Sequence, residues 1–269
     1  MAKILVTGGT GVLGRALSNI FLANKTDFLI TSRNQKNIIN ENDGMNSNSK
    51  SKWLYMDLSK NKGINKVFNN NIDTILHLAS MPMQNIQGQP ADVILTKNLL
   101  DSIPKQNIKH LIYISIVGID KIPFTYYRGK LECERLIKAS GIPYSILRAT
   151  QFHGFVEDFA VKLLKFPICM VPKSIKVQPV QVEAVAMELN KILGQSPLNS
   201  TYEIGGKKIY EMKEIVDSLL NVRQEKKLMI PIPIMGKMLK AYAKGYGTCN
   251  NIALNSNTWE EYLASKYPK

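Results

Sequence analysis

Cysteine is scarce in this chain, with three in 269 residues, Cys133, Cys169 and Cys249, and no C-x-x-C spacing among them. An odd, scattered set of this kind argues against a disulfide framework or a zinc site and fits a reducing, cytoplasmic setting. No metal centre is expected. Long apolar runs are also missing: none approaches the roughly 20 residues that a membrane span requires. The N-terminus passes straight into Ala2-Lys3-Ile4-Leu5-Val6, which reads as a strand and lacks the charged region and cleavage site of a signal peptide. Acidic residues are few beside the basic ones, 21 against 35, leaving a formal charge of +14. Such a charge invites a nucleic-acid reading. The lysines, however, are spread along the whole chain among many asparagines, and no helix-turn-helix, zinc-finger or RNP-like string accompanies them. The charge suits an anionic dinucleotide or an acidic small molecule through field focusing, and nucleic acid is not the expected partner.

Hydrophobic content is 45% and charged content 21%, ordinary values for a globular chain with one good core. Short runs rich in Ile, Leu, Val or Tyr at 3–7, 27–32, 52–56, 72–78, 109–115 and 143–148 read as strands. Most are apolar on both faces, as parallel strands covered by helices are. Helix-length segments lie between them at 12–23, 62–69, 90–102 and 125–139, and residues 34–51, rich in Asn, Ser, Lys and Gly, read as a surface loop. Strand–helix alternation specifies a Rossmann-type, doubly wound parallel α/β sheet. Beyond Arg148 the pattern loosens: strand-like stretches at 176–182 and 201–204 mix with helix-like ones at 182–193, 210–220, 234–244 and 258–264. We therefore expect a dinucleotide-binding core over residues 1–150 and a smaller substrate-covering lobe over 151–269, partly integrated with it. No internal repeat or Pro/Gly/Ser linker makes that lobe independent.

The first strand runs directly into Thr7-Gly8-Gly9-Thr10-Gly11-Val12-Leu13-Gly14, which opens the first helix. Its G-x-x-G-x-x-G spacing permits the tight turn, the approach of backbone to a pyrophosphate and close helix–strand packing, with free N–H groups at the helix start. The strand before and the helix after supply the context a glycine string alone lacks. The second strand ends Ile30-Thr31-Ser32-Arg33. An NAD site usually carries Asp or Glu there; Arg33, a planar permanent cation, favours the 2′-phosphate of NADP, with Ser32 as an added donor. NADP(H) is the expected cofactor and NAD(H) the alternative. Tyr126 and Lys130 lie four residues apart in a predicted helix, so both project from one face. An ammonium near a phenol favours the phenolate, which equips Tyr126 for proton transfer. Tyr262 and Lys266 repeat the spacing, so only location distinguishes the first pair.

The string TGGTGVLG resembles the nucleotide loop of the short-chain dehydrogenase/reductase superfamily in its atypical, NmrA-like branch. Ile114–Gly118, Tyr126–Lys130, Leu147–Phe152 and Thr258–Leu263 resemble further landmarks of that branch, in the same order along the chain. The resemblance implies that Gly8, Thr10, Gly11, Val12, Leu13 and Gly14 hold the pyrophosphate. It also implies that Asp57 and Leu58 lie at the adenine, and that Leu78, Ala79 and Ser80 run along the cofactor. Asp57 has the alternative of a helix cap, and His77 that of a satisfied buried histidine. Ser115 would bond the substrate carbonyl, although many relatives place that hydroxyl one or more residues later, where this chain has Ile116 and Val117. Gln151, Phe152 and His153 would line the substrate pocket, while Phe155, Phe159 and Phe166 would pack the lobe. The implied activity is reduction of a small carbonyl or quinone compound by NADP(H). A non-catalytic dinucleotide sensor that binds a regulatory partner, and an isomerase or epimerase working through transient oxidation, are the alternatives. The sequence does not read out the oligomeric state.

Overall fold

Strand β1 (Lys3–Thr7) buries Leu5, Val6 and Thr7 in succession, the pattern of a strand covered on both faces. In the computed structural model, which describes residues 3–34, 51–172 and 174–268, it is an interior strand of a seven-stranded sheet. Helix α1 (Val12–Ala23) follows, then β2 (Phe28–Ser32), β3 (Ser51–Tyr55), α2 (Ile64–Phe68) and β4 (Ile72–His77). A small hairpin, β5 (Asn85–Ile86) with β6 (Gln89–Pro90), leads into α3 (Ala91–Ser102), β7 (His110–Ile116), α4 (Thr125–Ala139) and β8 (Tyr144–Ala149). Next come α5 (His153–Leu164), β9 (Cys169–Pro172), β10 (Lys176–Val177), α6 (Val182–Leu193), β11 (Ser200–Ile204) and β12 (Tyr210–Glu211). The chain continues with α7 (Met212–Arg223), β13 (Met229–Ile232), α8 (Lys237–Ala243) and α9 (Trp259–Lys266).

The sheet order is β11-β8-β7-β4-β1-β2-β3. Pairs β1–β2, β2–β3, β1–β4 and β4–β7 are parallel. The chain thus winds outward from β1 through β3, then returns to β4 on the other side of β1. The order reverses between β1 and β4, and in an open α/β sheet the carboxyl ends flanking such a switch point are where ligands bind. The doubly wound parallel fold read from the sequence is the observed one. The expected loop falls, over residues 35–50, outside the described residues.

Two compact units, interleaved in sequence, make up the chain. One comprises Met1–Ser115, Arg128–Leu147 and Ala186–Tyr202; the other comprises Ile116–Tyr127, Arg148–Val185 and Glu203–Lys269. The core of the first joins strand residues Leu5, Leu29, Ile75, Leu111 and Ile146 to helix residues Val67, Leu99, Cys133 and Ile137. The core of the second is helical around Trp259. It takes Val156 and Ala160 from α5, Ile215, Val216 and Leu219 from α7 and Leu263 from α9, with Cys169 and Val171 of β9. Helix α9 starts on a capping box: Thr258 Oγ1 accepts from the Glu261 amide at 3.2 Å, and Glu261 Oε2 accepts from the Thr258 amide at 2.7 Å. The sequence reading missed α5, β9 and β13. Helix α5 buries Val156, Ala160 and Leu164 at helical spacing, but the exposed Phe155 and Phe159 blur the stripe.

Candidate active site

The glycine loop is pressed against the end of β4. Gly8 has φ +68°, and a Cβ there would stand 2.7 Å from both Cα and N of Ala79. The amides of Leu78 and Ala79 donate to the carbonyl and hydroxyl oxygens of Thr7, each at 3.2 Å, which fixes that approach. A Cβ on Gly14 would meet the backbone of Gly9 at 2.6 Å, so only glycine lets α1 start this close to the strand. Gly11 caps α1 without a side chain, and no acidic residue lies in the first turn. The helix start therefore keeps its partial positive charge and its amide donors for an anion. Thr10 is half-buried, Val12 exposed and Leu13 buried.

At the end of β2, Ser32 is turned inward. Its Oγ donates to the Asn34 carbonyl at 2.8 Å and accepts from Trp53 Nε1 at 2.9 Å. Arg33 is exposed, with Nη1 3.5 Å from Met81 Sδ. Residues 28–34 contain no acidic residue. Asp57 does not cap a helix: its Oδ1 accepts from the amide and hydroxyl of Ser59 at 2.9 and 2.5 Å, closing an Asx turn, while α2 begins later, behind Gly63. Leu58 is buried, and its carbonyl accepts from Asn98 Nδ2 at 2.7 Å.

His77 is fully engaged in a buried chain of hydrogen bonds. Thr7 Oγ1 accepts from the Ala79 amide and is hydrogen-bonded to His77 Nδ1 at 2.8 Å. Thr96 Oγ1 donates to the Asp92 carbonyl at 2.8 Å, so it accepts from His77 Nε2 at 3.1 Å. That direction puts a proton on Nε2 of the imidazole. Burial, with a smaller push from the Lys130 charge, lowers the His77 pKa to about 3. The neutral, structural role is the one that the geometry supports.

Asp92 and Lys130 form a buried ion pair at 3.7 Å, both side chains at most 4% exposed. The Asp92 carboxylate also accepts from Ser80 Oγ and from the Met81 amide, each at 2.7 Å, so it holds the segment that follows β4. Lys130 Nζ donates to the Ile114 carbonyl at 3.0 Å and lies 4.2 Å from the Tyr113 ring centroid. The Ser115 hydroxyl donates to the buried Glu134 carboxylate at 2.7 Å.

In the second unit, Tyr126 is half-buried at the start of α4, with its ring 6.3 Å from Phe124 and 6.2 Å from Tyr127. Tyr127 is buried and its hydroxyl meets that of Tyr242 at 2.6 Å; burial, then Tyr242, raises its pKa far above the usual phenol value. The buried Gln151 amide is held by two backbone groups. Nε2 donates to the Gly247 carbonyl at 3.0 Å and Oε1 accepts from the Gln178 amide at 3.1 Å. Phe152, half-buried, caps α5 and bridges to Val180.

His153 is deeply buried as well. It is 2% exposed and stacked 4.8 Å from Tyr262 and 6.2 Å from Trp259, and neither ring nitrogen has a hydrogen-bond partner. Burial lowers its pKa to about 4. The aromatic slot that swallows it belongs to the late Tyr262/Lys266 pair, which has a structural job. Glu157 accepts from Tyr262 at 2.5 Å, Lys266 at 2.5 Å and Tyr267 at 2.6 Å, pinning α9 to α5. Burial and the Glu157 carboxylate push the Tyr262 pKa up to about 12, the opposite of an activated phenol. Phe155, Phe159 and Phe166, expected to pack the lobe, are exposed.

With a glycine cradle at the switch point and a buried lysine behind it, a likeness to dinucleotide enzymes can be tested. Residues 4–119 match the NAD dependent epimerase/dehydratase family. That span holds the glycine loop, the segment after β4, Asp92 and Ser115. The match does not single out the NmrA-like branch that the sequence strings resemble. No curated protein gives a significant sequence match. Among solved structures, the chain is similar to a nucleoside-diphosphate-sugar epimerase from Staphylococcus aureus, with 19% identity, 98% of this chain and 99% of that one covered, and a TM-score of 0.76. UDP-glucuronic acid 4-epimerase from Bacillus cereus in complex with NAD gives 19% identity, coverage of 98% and 95%, and a TM-score of 0.74. UDP-glucose 4-epimerase from Thermus thermophilus, also with NAD, gives 16%, 97% and 96%, and 0.71. At these identities the likeness is one of fold.

Two residues that matter were not singled out from the sequence. Asp92 sits inside a helix-length segment with no local sign that its carboxylate is buried. Glu134 reads as an ordinary exposed helix position, yet it is fully buried. A signal existed only for Asp92, an acidic residue in the first turn of a predicted helix.

Proposed function

We propose that this protein is a nicotinamide-dinucleotide enzyme that prefers NADP(H) and reduces a small carbonyl or quinone compound. The observation that carries the reading is a continuous hydrogen-bonded assembly. Gly8 packs on Ala79; Thr7, His77 and Thr96 link that contact to Asp92; Asp92 holds both Ser80–Met81 and Lys130. Lys130, held by Asp92 in that assembly, lies one helical turn after Tyr126 along α4.

The cradle fits a dinucleotide, because glycine at 8 and 14 lets the loop close tightly on Ala79 and Gly9, and the uncapped start of α1 offers amide donors to a pyrophosphate. The backbone from Gly8 to Gly14 would hold that group, Arg33 the 2′-phosphate, Asp57 and Leu58 the adenine, and Leu78, Ala79 and Ser80 the remainder. When bound, the nicotinamide supplies the hydride. Tyr126 gives its phenolic proton to the carbonyl oxygen, so that C=O becomes CH–OH, and the phenolate is stabilised by the Lys130 charge until solvent reprotonates it. Ser115, whose hydroxyl donates to Glu134, does not join this step, and turnover is accordingly slow.

The match over residues 4–119 favours a second reading, epimerisation or dehydration through transient oxidation. Assays of NADPH and NADH oxidation against quinones, aldehydes and ketones, with wild type and Tyr126→Phe in parallel, separate the two. We expect NADPH turnover that falls about a hundredfold or more in the variant, with dinucleotide affinity retained. A variant as active as wild type would remove Tyr126 from the mechanism. Tightly retained dinucleotide with no net oxidation favours the second reading, and redox-dependent affinity without any turnover favours a sensor.

A further inference from the structure

The outward face of the β9–β13 ribbon is apolar where a solvent-facing strand is ordinarily polar. The two strands are parallel, with Met170 opposite Ile230, and the Cys169 amide donates to the Leu228 carbonyl at 3.0 Å. Cys169 and Val171 point into the core, and Ile168, Met170, Leu228 and Ile230 point out. Phe166, just before β9, is 62% exposed, and Leu228, just before β13, is 64% exposed. Exposure this high describes protruding side chains, not the lining of a groove that receives a partner's residues.

The charge around this face is mainly basic, with Asp158 at its edge on α5. Lys162, Lys165 and Lys226 are exposed, and Lys227 ties the two segments together by donating to the Leu164 carbonyl. Neither 159–172 nor 226–233 contains an acidic residue, and the adjacent Glu225 is paired with Arg223 at 3.9 Å. A second copy of this face would bring like charges together, which disfavours self-docking. Lysines are compact, well-hydrated charges on flexible stems, suited to a diffuse layer of headgroup phosphates.

We propose that this face is a membrane-docking surface, in which Phe166, Ile168, Leu228 and Ile230 enter the interface of an anionic lipid bilayer and Lys162, Lys165 and Lys226 meet its headgroups. No helix among the described residues is long and apolar enough to cross a membrane, so the association is with the surface. The test is co-sedimentation of the full chain with vesicles of phosphatidylcholine, with and without phosphatidylserine. Binding is expected only with phosphatidylserine, weakening as salt rises. Lys165→Glu with Lys226→Glu should lower partitioning at least roughly 25-fold, about fivefold per lysine removed. Phe166→Ser with Leu228→Ser should lower it comparably while far-UV circular dichroism and the melting transition stay as in wild type. Absence of binding, equal binding to both vesicle types, or variants that bind like wild type would each overturn the proposal. So would sedimentation velocity showing a dimer that the Phe166→Ser and Leu228→Ser changes dissolve, because the face would then belong to a second copy.

Discussion

Replacing His153 with phenylalanine should make the protein less sensitive to acid. The imidazole is stacked on Tyr262 and near Trp259, 2% exposed, with both nitrogens unpaired and its pKa lowered to about 4. In the unfolded chain a histidine titrates near 6.5. Folding stability associated with this group is therefore fully present above pH 6.5 and is lost as pH falls toward 4, because the unfolded state takes up the proton first. Between neutral pH and pH 5 that loss amounts to about 2 kcal/mol. Phenylalanine keeps the stack and cannot titrate. It also removes two buried unpaired polar atoms, worth about 1–3 kcal/mol, against an overpacking cost of similar size. The sign at pH 7 thus depends on how the slot adjusts, but the change with pH does not. Urea unfolding followed by the fluorescence of Trp259, in a Trp53→Phe background, reads it at pH 7.5 and 5. The stability of the variant relative to the parent should rise by about 2 kcal/mol toward the lower pH. Parallel pH profiles would refute the buried, neutral assignment of His153.

Three further outcomes follow from the first unit. Gly8→Ala places a Cβ 2.7 Å from the Ala79 backbone at φ +68°, and should cost about 2–4 kcal/mol and abolish dinucleotide retention, measurable by chemical denaturation and fluorescence titration with NADPH. Asp92→Ala strands the buried Lys130 charge and should destabilise by about 3–5 kcal/mol; Asp92→Asn, which retains a hydrogen-bond acceptor, should cost less. An alanine variant as stable as the parent would show that the pair is not buried as described. Arg33→Asp should lower the NADPH-to-NADH ratio of kcat/KM by about tenfold or more, and an unchanged ratio would remove Arg33 from cofactor choice.

The chain itself determined the parallel sheet and the position of the glycine cradle. Both rest on local information: apolar runs of strand length, helix-length spacers, and glycines at 8, 11 and 14 between the first strand and helix. The same local pattern placed Tyr126 and Lys130 one turn apart on a helix. What each polar side chain is free to do was decided elsewhere, by partners distant in sequence. Ser115 donates its hydroxyl hydrogen bond to Glu134, 19 residues away, and Gln151 is held by Gly247, 96 residues away. His153 enters a slot built by Trp259 and Tyr262, and Lys266 finds Glu157 across 109 residues. Periodicity reports which face of an element is buried, because burial repeats with the element's own geometry. It carries no record of which donor meets which acceptor once the elements pack, and that pairing, which only the tertiary structure supplies, decides which groups remain available for chemistry.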